Sequence, residues 1–215
     1  MRESWYERNI LPFMIDWSCG VKPVRRQRAK VVPRAQGRVL EVGIGSGLNA
    51  PYYDRSRVSA IIGLDPSGAM RQRAERRVRE AGLQVEFIGL SAEKIPQPDA
   101  SFDSVLITYT LCSIPEPLAA LAEMRRVLKP EGRLIFCEHG RAPDASVRRW
   151  QDRLTPLWRR IGGGCNLNRD IPALLAAGGF DCSELETMYL PGLRPLTFNF
   201  WGEAVARPGR APAAR

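Results

Sequence analysis

The sequence contains a single histidine, His139, and no pair of cysteines separated by two residues. Its five cysteines are scattered along the chain: Cys19, Cys112, Cys137, Cys165 and Cys182. Because zinc sites draw on clustered cysteine and histidine ligands, this spacing predicts no metal site. We also see no signal-peptide pattern, so a disulfide framework is not expected and the thiols should be reduced and buried.

Long apolar runs are missing as well. The apolar stretch at residues 10–15 is broken by Pro12 and falls far short of the roughly 18 residues that a membrane span requires. We therefore expect a cytoplasmic protein. With 215 residues, 44% of them hydrophobic and 26% charged, the chain suits one globular domain with a full core.

Acidic residues are fewer than basic residues, and the formal net charge is +9. The densest basic stretch, residues 71–80, includes Glu75 four residues before Arg79, which is the pattern of a solvated helix face. No aromatic side chains are interleaved with its arginines, so we see no stacking platform and expect no nucleic-acid partner. A contribution of the basic surface to peripheral membrane contact or to an anionic substrate stays open.

Residues 1–36 predict N-terminal helices. Apolar side chains at positions 6, 10, 13, 14 and 17 recur at helical spacing and give an amphipathic helix. This helix either packs as an ordinary helix or covers the mouth of a pocket as a lid. The main domain is predicted over residues 37–206, and residues 207–215 should form a disordered tail.

From residue 37 the pattern alternates between strand and helix. Strands are predicted at 38–42, 60–65, 84–88, 104–108, 133–138, 180–189 and 196–206. Helices are predicted at 47–53, 67–81, 146–161 and 170–177, with another before a turn at 129–132. Apolar strands alternating with amphipathic helices indicate an α/β fold, a doubly wound parallel sheet covered on both faces. Such sheets bind ligands at the carboxyl ends of their strands.

The strongest motif is the stretch at residues 38–47. A short strand runs into Gly43-x-Gly45-x-Gly47, and a second strand ends in Asp65 about twenty residues later. Glycines let the backbone approach a ligand closely, and a carboxylate there can bind ribose hydroxyls. The spacing differs from the GxGxxG of dinucleotide-binding enzymes, so a pyrophosphate is not indicated.

Four further stretches accompany this turn, at residues 63–67, 91–93, 102–105 and 127–134. In this order and spacing the set resembles the class I S-adenosylmethionine-dependent methyltransferases of the type 11 domain group, over residues 37 to about 140. The resemblance implies S-adenosylmethionine as the cofactor and a Rossmann-like seven-stranded sheet, mostly parallel, with its last strand antiparallel.

The resemblance also implies roles for individual residues. The three glycines would face the methionine moiety, Asp65 would bind the ribose, and Thr108 would lie near the sulfonium. Pro66 and Met70 would contact the adenine, and Ala92 and Glu93 would meet its edge. The implied cofactor-binding residues are Glu41, Gly43, Gly45, Gly47, Asp65, Pro66, Met70, Ala92, Glu93 and Thr108.

A narrower resemblance concerns the second half of the chain. Residues 111–113, 138–139, 150–151, 156–158 and 164–169 look like those of the methyltransferase-like alkyl-thiol S-methyltransferases, which methylate hydrogen sulfide and small lipophilic thiols. A small, apolar acceptor is therefore implied, with a thiol or sulfide first. The residues predicted to bind it are Tyr109, Cys112, His139, Trp150, Cys165, Asn166 and Arg169.

His139 is the predicted catalytic residue, because it follows the fifth strand at the edge where an acceptor should sit. It would take the thiol proton or orient the acceptor, and a purely structural hydrogen-bonding role stays open. A free thiol with a pKa of about 8.5 is only a few per cent thiolate at pH 7, so an imidazole or a positive field from Arg141 or Arg169 would help. Cys112 lacks a preceding proline and is interpreted as a pocket wall, not a nucleophile.

Three other functions stay open at this point. Two are enzymatic, N-methylation of a phospholipid head group and C-methylation of a quinone, and both suit a basic surface with an amphipathic helix. The third is a catalytically silent cofactor-binding or RNA-associated subunit.

Overall fold

The computed structural model describes residues 5–207. Its helices are α1 (Trp5–Asn9), α2 (Leu11–Cys19), α3 (Lys22–Val31), α4 (Gly68–Glu80), α5 (Pro117–Val127), α6 (Ala145–Ile161), α7 (Ile171–Ala177) and α8 (Arg194–Thr197). Its strands are β1 (Gly37–Val42), β2 (Val58–Leu64), β3 (Val85–Ile88), β4 (Phe102–Thr108), β5 (Leu128–His139), β6 (Phe180–Tyr189) and β7 (Phe198–Ala206). The tail that we predicted to be disordered lies outside the described residues apart from Arg207, as do residues 1–4 of the predicted N-terminal helices.

Over the described residues the strands form one seven-stranded sheet in the order β3-β2-β1-β4-β5-β7-β6. The pairs from β3 to β5 are all parallel, whereas β7 runs antiparallel to both β5 and β6. The predicted α/β sheet with an antiparallel last strand is confirmed. Since β2 and β4 flank β1 on opposite sides, the chain reverses direction across the sheet next to β1, and this is where such folds open a crevice.

Alternating side chains of the central strands pack on opposite faces of the sheet. Leu40 is fully buried in an apolar cluster with Met124 of α5, while its neighbour Val39 joins a second cluster with Val31 of α3 and Leu106 of β4. Burying each such side chain stabilises the fold by roughly 1.5–3 kcal/mol. The central strands are therefore apolar on both sides, as the sequence pattern predicted.

The segment after β1 differs from the prediction. We predicted a helix over 47–53, and this is wrong: the segment is a turn with a single 3-10 turn at Ala50–Tyr52. Gly47 adopts a left-handed φ of +78°, and Pro51 has no N–H to donate to a helical ladder. These two residues prevent an α-helix from starting there.

The predicted turn at residues 129–132 also takes another form. Strand β5 already begins at Leu128, which pairs with Phe102, and the next register pair joins Arg133 to Ser104. The intervening residues form a bulge within a continuous strand. No helix among the described residues has both the length and the apolar character needed to cross a membrane.

Candidate active site

The glycine turn after β1 is shaped by backbone conformations that only glycine adopts readily. Gly43, Gly45 and Gly47 have φ angles of +70°, +54° and +78°. A Cβ atom on Gly43 would overlap the side chain of Thr110, and one on Gly47 would lie 2.9 Å from Cα of Ala74. At Gly45 the nearest neighbour of an added Cβ would be 3.8 Å away. The middle glycine therefore borders open space, and the outer two allow close packing.

Asp65 follows β2 and is held by two backbone N–H groups. Its Oδ2 accepts a hydrogen bond from Gly45 N at 2.9 Å, and its Oδ1 accepts one from Ser67 N at 2.9 Å. Burial raises the pKa of Asp65, and these two hydrogen bonds partly oppose the rise. Each oxygen keeps a second lone pair, so the carboxylate can still accept hydrogen bonds from a ligand.

A buried polar network lies behind the glycine turn. Arg28 Nη1 donates to Asn49 Oδ1 at 2.7 Å and to Thr108 Oγ1 at 2.5 Å. Asn49 Nδ2 donates to Glu41 Oε1 at 2.8 Å, and Tyr53 OH donates to Glu41 Oε2 at 2.7 Å. Burial raises the pKa of Glu41 to about 7 despite these two hydrogen bonds. The network links the N-terminal helix α3 to the ends of β1 and β4.

A cavity of about 490 Å³ opens at the carboxyl ends of the strands. This is within the range of pockets that hold a cofactor or drug-sized ligand. One wall carries the glycine turn, residues 65–67 and Met70, and another carries residues 108–110 and 113–115. Helix α2 forms a third wall through Leu11, Pro12, Ile15 and Cys19.

Helix α2 is tied to the glycine turn through one carboxylate. Asp16 Oδ1 accepts hydrogen bonds from Ser46 Oγ at 2.5 Å and from Arg77 Nη1 at 2.6 Å. Its Oδ2 accepts a hydrogen bond from Arg77 Nη2 at 2.9 Å and lies 3.4 Å from Arg73 Nη1. The single amphipathic helix predicted through positions 6–17 is wrong, because the stretch forms two helices, α1 and α2, and α2 lies against the cavity. Whether it moves as a lid stays a prediction.

A second group of side chains meets near the end of β5. His139 Nε2 lies 3.1 Å from Cys165 Sγ, and these two atoms and Cys112 Sγ all lie within 4.8 Å of one another. A hydrogen bond from the Cys112 thiol and the neighbouring imidazole hold the pKa of Cys165 well below its usual range. Burial acts to lower the pKa of His139, but Cys165 raises it. Our prediction of no metal site depended on spacing along the chain, and the fold brings these three residues together from separate segments.

Comparison with known proteins identifies the fold and the cofactor. Residues 40–136 match the family model described as "Methyltransferase domain". A crystal structure of a SAM-dependent methyltransferase from Thermotoga maritima, described as a possible histamine N-methyltransferase, superposes with a TM-score of 0.65 over 93% of this chain and 97% of that one, at 22% identity. Residues 40–136 therefore form a methyltransferase domain with the fold of S-adenosylmethionine-dependent methyltransferases.

Two relatives differ in the acceptor that their names state. The thiol S-methyltransferase TMT1B of Rattus norvegicus is 38% identical over 136 residues, which cover 61% of this chain and 55% of that protein. The phosphatidylethanolamine N-methyltransferase of Cereibacter sphaeroides is 39% identical over 119 residues, covering 54% of this chain and 57% of that protein. The chain spans about half the length of these curated relatives.

The residues that line the cavity suit S-adenosylmethionine. Gly45 borders open space, Asp65 keeps lone pairs that could accept from ribose hydroxyls, and apolar side chains such as Pro66 and Met70 line the cavity. Among the predicted cofactor-binding residues, the cavity lining includes Gly43, Gly45, Asp65, Pro66, Met70, Ala92 and Thr108. Gly47, Glu41 and Glu93 lie outside that lining.

The predicted acceptor-side residues lie at different places. Tyr109 lines the cavity, whereas Cys112, His139 and Cys165 meet outside its lining. Trp150 lies on α6 with 54% of its surface exposed and also lies outside the lining.

Asn166 and Arg169 brace the loop after β4. Asn166 Nδ2 donates to the carbonyl of Cys112 at 2.8 Å. Arg169 donates through Nη1 to the carbonyl of Leu111 and through Nη2 to that of Ile114 at 2.7 Å. Because Ile114 lines the cavity, these two side chains help to set the position of its wall.

Two polar residues of the site were not anticipated. Arg28 is 5% exposed, bonds to Thr108, and lies over the Tyr109 ring with its guanidinium carbon 5.1 Å from the ring centroid. Asn49 joins Arg28 to Glu41. In the sequence Arg28 is one of several arginines on a basic helix, and its spacing does not distinguish it from its solvated neighbours. Asn49 falls in the turn that we predicted as a helix.

Proposed function

We propose that this chain transfers the methyl group of S-adenosylmethionine to the sulfur of a small thiol or of sulfide. The observation that carries the proposal is the buried cation Arg28 beside Thr108, at the wall of the cavity. The thiolate is the nucleophilic form of a thiol whose pKa ordinarily lies about 8.5, and a guanidinium in a low-dielectric site stabilises that anion. The similarity to a thiol S-methyltransferase supports this acceptor.

On the donor side we propose the roles that the resemblance implies. Asp65 binds the ribose hydroxyls while the N–H groups of Gly45 and Ser67 hold its carboxylate in place. The glycine turn lets the backbone approach the methionine moiety, and Thr108 lies near the sulfonium. Glu41 keeps Asn49 in position behind that turn. The adenine contacts are assigned to Pro66, Met70, Ala92 and Glu93.

When bound, S-adenosylmethionine supplies an electrophilic methyl group on a positively charged sulfur. An acceptor thiolate held in line with that methyl group would bond to its carbon, and the electron pair of the broken bond would stay on the donor sulfur. The chain mainly has to hold the acceptor in line and keep it ionised. Arg28 supplies the positive charge, and Tyr109 and Ile114 supply apolar walls.

On the acceptor side we propose that Cys112, His139, Cys165, Asn166 and Arg169 position this wall. Of the two roles predicted for His139, its contact with Cys165 Sγ supports the orienting one. The loss of such a positioning residue should raise the acceptor KM more than it lowers kcat. A comparison of His139→Ala with His139→Gln tests this role, because the glutamine amide can still reach Cys165 and should restore part of the acceptor KM.

A second candidate is methylation of a phospholipid head group. The observation that favours it is the outer face of α2, where the side chains of Phe13, Met14 and Trp17 are 63%, 43% and 76% exposed, while Leu11 and Ile15 line the cavity. Exposed aromatic side chains beside arginines are typical of helices that lie on an anionic lipid surface. Trp150 enters this second proposal as another exposed apolar side chain.

Mass spectrometry of the products distinguishes the two candidates. The chain is incubated with methyl-labelled cofactor and, in parallel, with sulfide, a small lipophilic thiol, or vesicles of phosphatidylethanolamine with and without anionic lipid. Label on the thiol or on sulfide in vesicle-free buffer supports the first proposal. Label on the lipid amine alone refutes the first proposal and supports the second.

A further inference from the structure

Cys112, His139 and Cys165 come from three separate segments: the loop after β4, the end of β5, and the loop between α6 and α7. Among residues 5–207 they are the group whose thiol and imidazole ligand atoms converge, all within 4.8 Å. In a tetrahedral site with Zn–S of about 2.3 Å and Zn–N of about 2.0 Å, neighbouring ligand atoms are about 3.5 Å apart. The observed group is therefore close to a binding geometry.

We propose that Cys112 Sγ, His139 Nε2 and Cys165 Sγ bind a soft divalent cation of the zinc class. Two thiolates and a neutral imidazole offset the two positive charges of such an ion, so the complex is neutral. A neutral complex is needed here because Glu138, the neighbour of His139 in the sequence, is fully buried, and a further net charge beside it would be costly. A structure with two thiols and an imidazole converging on one point is better matched to a cation than to an organic ligand.

The surrounding residues hold the three ligands in place. Glu138 Oε1 accepts hydrogen bonds from the backbone N–H groups of Thr110 and Leu111, next to Cys112. Asn166, which follows Cys165, bonds through its backbone N–H and through Nδ2 to the carbonyl of Cys112. Each ligand loop is thus attached to another, as is usual where a metal site is preorganised.

Three protein ligands leave one position of a tetrahedron for another ligand, which is the pattern of catalytic zinc and not of structural zinc. Ser113, which follows Cys112, lines the cavity, and a Cβ on Gly164 would lie 3.4 Å from its carbonyl oxygen. We assign the fourth position to the acceptor sulfur, and this assignment alone rests on the proposed function. As the thiol joins the ion its proton passes to water, and the bound sulfur keeps a lone pair for the methyl carbon.

A disulfide between Cys112 and Cys165 is the competing interpretation. It would remove two electrons from the pair and requires an oxidant, which neither the fold nor methyl transfer supplies. Cation binding requires no co-reactant. Cation binding also explains the position of His139 as a ligand, whereas a disulfide would leave its imidazole without a thiolate partner.

The test uses the full chain, reduced and stripped of metal, to which Zn²⁺ or Co²⁺ is added. We expect one ion per chain and, with Co²⁺, an intense thiolate-to-cobalt absorption band. Cys112→Ser, Cys165→Ser and His139→Ala should each weaken binding at least ~10-fold, the usual order of effect when a ligand or its support is lost. The matched control is Cys182→Ser, which removes an exposed thiol and should bind as the wild type does.

A second measurement does not depend on any variant folding. Zn²⁺ should protect Cys112 and Cys165 of the wild-type chain from alkylation while Cys182 still reacts. Equal labelling of all three thiols, a Cys112–Cys165 disulfide in the reduced preparation, or a cobalt spectrum that persists in both cysteine variants would overturn the site. A metal-loaded chain whose cobalt band is unmoved by thiols would refute the fourth-position assignment. If the chain binds the metal but does not methylate thiols, the proposed function is refuted and the proposed metal site still stands.

Discussion

The two sides of the cavity are built in different ways. The donor side is made of backbone: the left-handed glycines of the turn after β1, and the N–H groups that hold Asp65 at the end of β2. The side that we assign to the acceptor is lined by side chains from α2, α3 and the loop after β4, and the segment around Cys165 is hydrogen-bonded to that loop. A site built from backbone keeps its geometry as long as a few residues, such as the glycines, are retained. A wall built from side chains changes with almost every substitution in it. One donor site can therefore be combined with different acceptors, as the two relatives with different named acceptors illustrate.

The sharpest test of the donor side is Asp65→Ala. If this carboxylate binds two ribose hydroxyls, as we propose, its removal should weaken cofactor binding about 100-fold, since hydrogen bonds to a charged group contribute roughly 1.5–3 kcal/mol each. Isothermal titration calorimetry with the demethylated cofactor measures this. Asp99→Ala, in a side chain that is 77% exposed, is the control. A variant that binds within a factor of three of the wild type would contradict the assigned role.

The matching test of the acceptor side is Arg28→Gln. Loss of the buried positive charge should lower kcat/KM for a thiol about 10-fold, because less of the acceptor is ionised at neutral pH. Cofactor affinity should fall less than this, which would separate the two sides. The control is Arg26→Gln on the same helix, where the side chain is exposed. Raising the pH should restore part of the Arg28→Gln rate, and a pH-independent defect would contradict the electrostatic explanation.

A smaller effect is expected at Glu41, within the donor-side network. Its pKa is raised by burial to about 7, so between pH 4.5 and 7 the folded state holds a proton that the unfolded state has lost. The free energy of unfolding should therefore decrease as pH rises towards 7 and level off above it, by about 1 kcal/mol between pH 6 and 8.

Urea unfolding of Glu41→Gln provides the comparison. The neutral amide can still accept from Asn49, and Tyr53 can turn its hydroxyl to accept from the amide, so the fold should be retained. The variant should lose the part of the pH dependence that Glu41 carries and keep the part carried by Glu138, because burial raises the pKa of Glu138 to about 7 as well. An unchanged slope would show that another group carries it.

The smallest expected effect concerns Asp16, where the two sides join. Asp16→Asn weakens the contact of α2 with Ser46 and Arg77, and it should speed release of the demethylated cofactor about threefold to fivefold. Stopped-flow fluorescence of Trp17, which lies next to Asp16, measures the release. An unchanged release rate would show that α2 does not control access to the cavity.

Seven of the ten residues predicted for the donor side line the cavity, because most of them follow strands within a few positions. The alternation of strands and helices predicted the fold, and the motif order predicted the cofactor. The helix over 47–53 was predicted wrongly because helical propensity was counted without the positive φ that Gly47 must adopt to pack on Ala74.

The acceptor side could be predicted only in part. Cys112, His139 and Cys165 were named individually, but their convergence depends on β4 and β5 lying side by side and on a loop 26 residues further along the chain. Arg28 could not be distinguished from Arg25 and Arg26. All three lie within about one turn of α3, and only the packing of that helix determines which of them is buried. Long-range packing of this kind has no signal in local spacing.

The position of β7 has a consequence for synthesis of the chain. This strand is the last one among residues 5–207, yet it lies between β5 and β6, and its Asn199 accepts a hydrogen bond from the Tyr109 hydroxyl at 2.6 Å. Until residues 198–206 leave the ribosome, β5 has an unpaired edge and β6 has no neighbour in the sheet. At about 5–20 residues per second the nascent chain passes through a stage in which the cofactor turn is complete and the sheet is open. At that stage the unpaired edge of β5 can pair with a strand of another chain, which is a route to aggregation.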